Sequence, residues 1–387
     1  MHTSETSDTT LSPFAEDTSE GFTMPSVTVT SPTDTAALLS SHPLFRAAVW
    51  INKVVLVVIL VLGFFGNTMT LVLQRRMGRG GGSGISVFIS SLAVSDSAML
   101  LVLGMSMYFY TFGIFVMDYH DVLCKVIYWL MYVIASTSSW ILVAMTLQRA
   151  ASIVWPHRIN REWTARKAKV TVLVIVVMFM IVNCHILYGR RLQSLSSGQT
   201  VCLFVSEEYE HFFDHVWPVV DIVLSSLVPF VLVISANVVL VKRVRQAMKE
   251  AKHTLAGGST DQVKVRQQKT SRMTLTLVCV SVAFLVLTSP ICVLSLVRRT
   301  WNPAIASDVK EAANSYFSEA AANTVWLANN AINFYIYVMT GSRYRAAMAS
   351  VCGCDVANRQ VTSVTRSTVV TRPSDLSTPH PPKERGQ

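Results

Sequence analysis

An all-α membrane protein, with seven transmembrane helices bundled together and a short amphipathic eighth, is the fold class that this sequence predicts. Three observations predict it. Of the 387 residues, 51% are hydrophobic and 14% charged, against about 25% charged in ordinary globular domains. Long apolar runs separate clusters of Lys and Arg, and a soluble protein would have nothing polar left to cover them. The basic residues also gather in the connections that one side of a bilayer would hold.

Seven runs are long enough for a helix, rising about 1.5 Å per residue, to cross about 30 Å of hydrocarbon. They are Trp50–Leu73, Ile85–Phe112, Val126–Leu147, Val170–Leu187, Val216–Val241, Met273–Val297 and Ala320–Met339. The fourth is the shortest and the seventh the most polar. Barrel strands would be about ten residues long with period-two alternation, which these runs lack. Residues 1–48 are polar and rich in Ser and Thr, and read as a disordered extracellular tail with no cleavable signal peptide. The bundle then occupies 49–340, an amphipathic membrane-surface helix 341–354, and a disordered cytoplasmic tail 355–387. No Asn-x-Ser/Thr sequon occurs, so glycosylation of the first tail would be O-linked.

Charge sets the expected orientation. With the amino terminus outside, the inner side collects 25 Lys/Arg and 6 Asp/Glu, and the outer side 8 and 15. The formal net charge of +10 is thus +19 inside and −7 outside, with Asp96 and Asp221 within the spans. Nucleic-acid binding needs a basic face on an exposed module, which is not found here. The inner charges read as topology determinants and contacts to anionic membrane lipid.

Polar groups in hydrocarbon are costly and each is a functional candidate. Asp96 lies mid-way along the second span, Asn67 interrupts the first, Ser138 the third, and Asn329, Asn330 and Asn333 cluster in the seventh. These positions are expected to converge on Asp96. Two readings stay open: a hydrogen-bonded network that only holds helices together, or a water and cation site, with sodium near Asp96, that changes on activation. No other cofactor is expected. Asp221 lies eight residues before Pro229, in the outer half of the fifth span. A carboxylate there is expected to face a water-filled cavity or a ligand, the alternative being a structural partner, and Tyr108, Tyr128, Met131, Tyr132, Trp217, Asn323 and Trp326 could line the same cavity. Each aromatic taken alone is as readily a core or interface residue.

Of seven cysteines, Cys124 and Cys202 face the oxidising side, and a disulfide between them would staple the second outer loop over the bundle mouth. Cys184, Cys279 and Cys292 read as buried packing residues. Cys352 and Cys354 follow the seventh span on the inner side, where palmitoylation would anchor them. The nine scattered histidines form no zinc-type set.

Gly66-Asn67, Leu92–Asp96, Cys124, Arg149, Pro229, Phe284, Pro290 and Asn333–Tyr337 occur in one order and spacing over roughly Trp50 to Cys354. In this the chain resembles the rhodopsin-like (class A) G-protein-coupled receptors. The resemblance implies a multi-pass plasma-membrane receptor for an extracellular ligand. It also implies that Arg149 and Tyr337 couple to a heterotrimeric G protein. There are departures. The acid before the family's arginine is Gln148, its usual partner on the sixth helix is Thr270, and the toggle tryptophan is Thr288. The seventh-helix proline is Phe334, the fifth-helix tyrosine is Asn237, and the fourth helix lacks its Trp. The restraint on Arg149 is therefore expected to be weaker.

The departures also prune ligands. Amine receptors carry an Asp where Met131 stands, and light sensors need a Lys that Ala320–Met339 lacks. The Asn-Phe-x-x-Tyr variant and Trp155-Pro156-His157 look most like invertebrate peptide receptors of the FMRFamide type. An outer charge of −7 with Asp221 favours a cationic peptide. By this reading binding shifts the population toward an open inner face, with helix six swinging about Pro290. Lys242, Arg243, Arg245, Lys269 and Arg272 flank the third inner loop, either as coupling contacts or as topology determinants only. Phosphates on tail residues Thr362 to Thr378 would recruit arrestin.

A transporter or channel would need more intramembrane ionisable groups along a path. A membrane enzyme would need a catalytic motif, and none is found. An orphan, constitutively active or decoy receptor stays open because of Gln148 and Thr288.

Overall fold

The computed structural model describes residues 32–78, 83–155, 163–195, 198–254, 261–300 and 309–351. Helix α1 is Pro32–Ser41. Helix α2, Pro43–Met77, carries the first span and α3, Gly84–Tyr110, the second. The third span is α4, Asp121–Val154, and the fourth α5, Ala165–Gly189. A two-stranded antiparallel hairpin follows, β1 Arg190–Ser194 and β2 Thr200–Phe204. Helix α6, Glu207–His215, leads into α7, which starts at Trp217 and continues as Val228–Thr254. The sixth span lies in α8, Asp261–Thr300, and the seventh in α9, Val309–Thr340.

Local chemistry sets where these helices begin. Ser83, Thr164 and Ser206 cap α3, α5 and α6, each side-chain oxygen accepting a backbone N–H of the first turn. Glu207, Glu208 and Glu210 then place negative charge at the positive end of the α6 dipole. Residues 32–41 correct the expectation of a disordered tail up to residue 48. Pro32 pre-sets the first helical turn, Ala36, Ala37, Leu38 and Leu39 favour helix, and α1 packs on α2 and on the outer part of α9. Phe45 of α2 meets Tyr316 of α9 edge-on at 5.1 Å.

Six of the described helices are long and apolar enough to cross a membrane by length and composition. Helix α9 is not among them, because Asn323, Thr324, Asn330 and Asn333 dilute its hydropathy. All four are buried, so these polar groups face protein, beside the equally buried Leu327, Ala331 and Phe334. Val58, Val61 and Phe65 of α2 and Val170, Leu173, Val174 and Ile181 of α5 are all exposed, as a lipid-facing surface requires. Cys184 also differs from expectation. It is exposed, in the turn that breaks α5 near its outer end, while Cys279 and Cys292 are half-buried.

Three helices pass through π-segments, at Ile51–Val55, Leu100–Gly104 and Ile222–Leu227. Such segments redirect side chains and often mark functional positions. Close approach explains two glycines. A Cβ on Gly63 would strike Leu100 and Ala331, and one on Gly66 would sit 2.9 Å from the Cβ of Phe334. The first and seventh spans therefore approach closely here, and the tip of the Leu100 side chain from the second fills the space beside Gly63. Helix α10, Ser342–Val351, forms a separate unit and exposes Arg343 and Arg345.

Candidate ligand and coupling sites

Inside the bundle, the second, third and seventh spans meet at one carboxylate. Ser138 Oγ donates to Asp96 Oδ1 at 2.8 Å, and Asn333 Nδ2 donates to Asp96 Oδ2 at 2.8 Å. Asp96 is completely buried, so these charge-assisted bonds offset part of its desolvation. Asn67 is one step removed, its amide donating to the Asn330 carbonyl at 3.1 Å. Asn330 in turn donates to the Trp326 carbonyl at 3.3 Å. Beside Asp96 lies a cavity of about 10 Å³ lined by Leu92, Ser138, Leu142, Val280, Phe284, Asn329 and Asn333. That is about the room one water-sized particle needs. The six expected polar residues thus share one neighbourhood, but only Ser138 and Asn333 bond Asp96 directly.

The site at the hairpin end of the bundle is built differently from the expected pocket. Cys124 and Cys202 are joined, with Cα atoms 5.5 Å apart. The hairpin is held further by α4 and the turn before it. Asp118 Oδ1 accepts the Cys202 N–H at 2.9 Å, and Asp121 Oδ1 accepts the Leu192 N–H at 2.9 Å. Burial pushes the Asp118 carboxyl above the ordinary range, and the Cys202 N–H opposes that shift. Arg190, the first hairpin residue, is fully buried. Its guanidinium lies 3.9 Å from the centre of the Tyr128 ring, 4.0 Å from Phe204 and 5.1 Å from Phe213. Tyr132 packs edge-on against Phe213 and Trp217.

The expected ligand residues therefore fall into two groups. Tyr128, Tyr132 and Trp217 belong to the cluster around Arg190 and the disulfide. Met131 and Trp326 pack against Leu56, Leu60, Met99 and Leu327 of the first, second and seventh spans. Asn323 is buried in α9. Asp221 sits just before the π-segment of α7, where Ser225 Oγ donates to it at 2.8 Å, and Ser225 bonds Ser136 of α4 at 2.7 Å. The Leu224 carbonyl, in the same π-segment, accepts Trp140 Nε1 at 2.8 Å. Arg190, Ser136, Ser225 and Trp140 went unnoticed in the sequence. A basic Arg190-Arg191 pair on an otherwise acidic outer side was the one available signal.

At the end of the bundle opposite the disulfide Arg149 is half-buried and Tyr337 buried. Gln148 is buried too, close against Gly84 at the start of α3. Thr340 Oγ1 donates to Thr276 Oγ1 at 2.8 Å, tying the inner end of the seventh span to the sixth. Lys242, Arg243 and Arg245 are on the described surface. The side chains of Lys269, Thr270 and Arg272, the Pro156-His157 pair, Cys352 and Cys354, and the tail hydroxyls lie outside the described residues.

Comparison with known proteins converges with this geometry. The model of the seven-transmembrane receptor (rhodopsin family) matches residues 66–337. An FMRFamide peptide receptor, frpr-18, of Caenorhabditis elegans is 22% identical over 77% of this chain and 69% of its own length. Galanin receptor type 1 of Rattus norvegicus is 24% identical over 82% and 87%, and the thyrotropin-releasing hormone receptor of Ovis aries 25% identical over 80% and 81%.

Proposed function

The chain belongs to the rhodopsin family of seven-transmembrane receptors, and from that premise we propose that it senses an extracellular peptide and signals to a heterotrimeric G protein. In this reading it sits in the plasma membrane with its amino terminus outside, and it is a receptor, not an enzyme. The observation that carries the reading is the Asp96 junction. It joins three spans between a disulfide-stapled outer cluster and the inner end that holds Arg149 and Tyr337. A ligand that favours one arrangement of the outer cluster can bias that junction, and only such a difference in affinity shifts the population.

A peptide ligand is supported by the receptors this chain resembles, whose names are those of peptide receptors. A cationic one is supported by the outer charge of −7 and by Asp221 beside Tyr132 and Trp217. Met131, Tyr128, Asn323 and Trp326 complete the proposed contact set. Sodium suits the Asp96 neighbourhood because Ser138, Asn329 and Asn333 offer hard donors on the wall of a space for one small particle, and Ser138 and Asn333 both bond the Asp96 carboxylate. When bound, the ion would supply positive charge to the buried carboxylate. Arg149 and Tyr337 would engage the G protein, the basic inner side anionic lipid, Cys352 and Cys354 acyl chains, and the phosphorylated tail arrestin.

Gln148 favours a second reading, ligand-free signalling, since no acid adjoins Arg149 in the chain. One experiment separates the two. Membranes from cells expressing the full chain are assayed for G-protein nucleotide exchange with and without a neuropeptide library, beside Arg149→Ala. Peptide-dependent exchange lost in Arg149→Ala supports the sensing receptor. High exchange without peptide, lost in the same variant, supports the second reading. Background exchange throughout rejects both.

A further inference from the structure

The C-terminal part of α8 and the first part of α9 leave a cavity of about 500 Å³ between them. Pro290, Val293 and Val297 form one wall, and Ser318, Ala321 and Val325 the other. Val293 and Val297 are 57% and 46% exposed, and Pro290 is exposed too, so the mouth opens away from the bundle, on the surface that hydrocarbon must cover. Whatever fills it therefore comes from the bilayer. Pockets of roughly 300–1,000 Å³ take a drug-sized molecule, and a four-ring sterol is of that size. We propose that this cavity is a binding site for a membrane sterol.

Three features favour a sterol over a lipid tail or a charged amphiphile. The α9 wall is built from the short side chains of Ser318, Ala321 and Ala322, facing the ring of Pro290, which suits a flat and rigid body. A sterol enters with few rotors to freeze, whereas an acyl chain loses rotamer freedom along its length. Among the described residues that line the cavity there is no Lys, Arg, Asp or Glu, so a carboxylate or phosphate would be buried there without a partner. The hydroxyls suit one incoming donor. Ser318 Oγ donates to the Asn314 carbonyl at 2.7 Å and Ser289 Oγ to the Val286 carbonyl at 3.1 Å. Each oxygen keeps lone pairs that can accept an O–H. Ser318 is two residues short of the apolar run Ala320–Met339, where the membrane interface is expected. Val325 lies seven residues further along α9, or about 10 Å deeper. The sterol hydroxyl would meet Ser318, with its rings running past Ala321 and Val325 toward Pro290. On the receptor reading, an occupant beside Pro290 would touch the point about which α8 swings, but the binding itself stands without that reading.

The test uses the purified full chain in lipid nanodiscs with a photoreactive sterol, and maps the crosslinked residues by mass spectrometry of peptides. Saturable labelling of residues 289–297 and 318–325, competed by unlabelled sterol, is expected. Ala321→Phe fills the cavity and should cut that labelling about tenfold. Ser318→Ala removes one acceptor and should weaken it about fivefold. Val174→Phe, on the exposed face of α5, should leave it unchanged. Thermal melting shows whether each variant is folded, and Ser318→Ala, a small change at a half-buried site, keeps the test decisive if Ala321→Phe is not. Labelling spread evenly over the lipid-facing segments, or of equal strength in the wild type and both cavity variants, overturns the proposal. So does equally strong labelling of the same residues by a phosphatidylcholine with a photoreactive tail.

Discussion

Among the described residues outside the spans, Arg190 is a fully buried cation held by aromatic rings. Its guanidinium is stacked between Tyr128 and Phe204 and is wholly withdrawn from water, where a cation–π contact is worth about 2 kcal/mol or more. Arg190→Ala removes that attraction and leaves a hole, so its thermal midpoint in detergent should fall well below the wild type. Arg190→Lys keeps the charge but not the plane, and should melt between the two. Equal midpoints for all three would show that the cage contributes nothing. Asp118 offers a case where the sign must be worked out. Burial raises its pKa, so the folded state disfavours the charged form, and its contribution to stability falls as pH climbs through the folded pKa. Asp118→Asn keeps an oxygen for the Cys202 N–H and removes the buried charge. At neutral pH it should melt no lower than the wild type, while Asp118→Ala, which orphans the N–H, should melt lower by roughly 1–3 kcal/mol of stability. A midpoint for Asp118→Asn as low as that of Asp118→Ala would mean that the charge itself holds the hairpin.

Between elements, hydroxyl and amide bonds mark where helices can part. The Thr340–Thr276 bond joins the seventh and sixth spans at their inner ends, where a swing of α8 about Pro290 would have to break it. A neutral hydrogen bond contributes about 1 kcal/mol net, so Thr276→Val should shift the population toward the open form roughly fivefold. Ligand-free nucleotide exchange should rise by a similar factor at matched surface expression, and an unchanged rate would exclude the bond as a restraint. The sequence made such couplings only partly legible. Long apolar runs announce spans because about twenty residues must average apolar, and Asp96, Ser138 and Asn333 announced themselves because polarity is rare there. The hairpin was silent. Its strands are five residues each, and its order depends on Cys124, Asp118 and Asp121, some 70 to 84 residues away in the chain. The π-segment of α7 was silent too, because its frame is set by Trp140 and Ser136 of another helix. Tyr128 and Tyr132 pack with Trp217 while Met131 of the same helix packs with Trp326, so the grouping of all five into one pocket does not hold.

For the molecule as a whole, the proposed orientation divides charge across the membrane, and that division has a kinetic consequence. In the proposed orientation, an outer surface of net −7 and the half-buried Asp221 would act on the proposed cationic peptide in different ways. Rim charges act at a distance and are screened, since the Debye length shrinks from about 10 Å at 0.1 M salt to about 3 Å at 1 M. They should therefore speed association, and the rate should fall steeply with ionic strength. A carboxylate inside the bundle acts only after the ligand has arrived, and its loss should appear as faster dissociation. With a labelled cationic peptide agonist, the wild type and Asp221→Asn should give parallel plots of association rate against salt. They should differ in dissociation rate by tenfold or more. Neutralising Glu207, Glu208 and Glu210 on α6 should flatten the salt dependence and leave dissociation almost unchanged. If Asp221→Asn instead flattened the salt dependence with no effect on dissociation, the aspartate would belong to the steering field and not to the contact set.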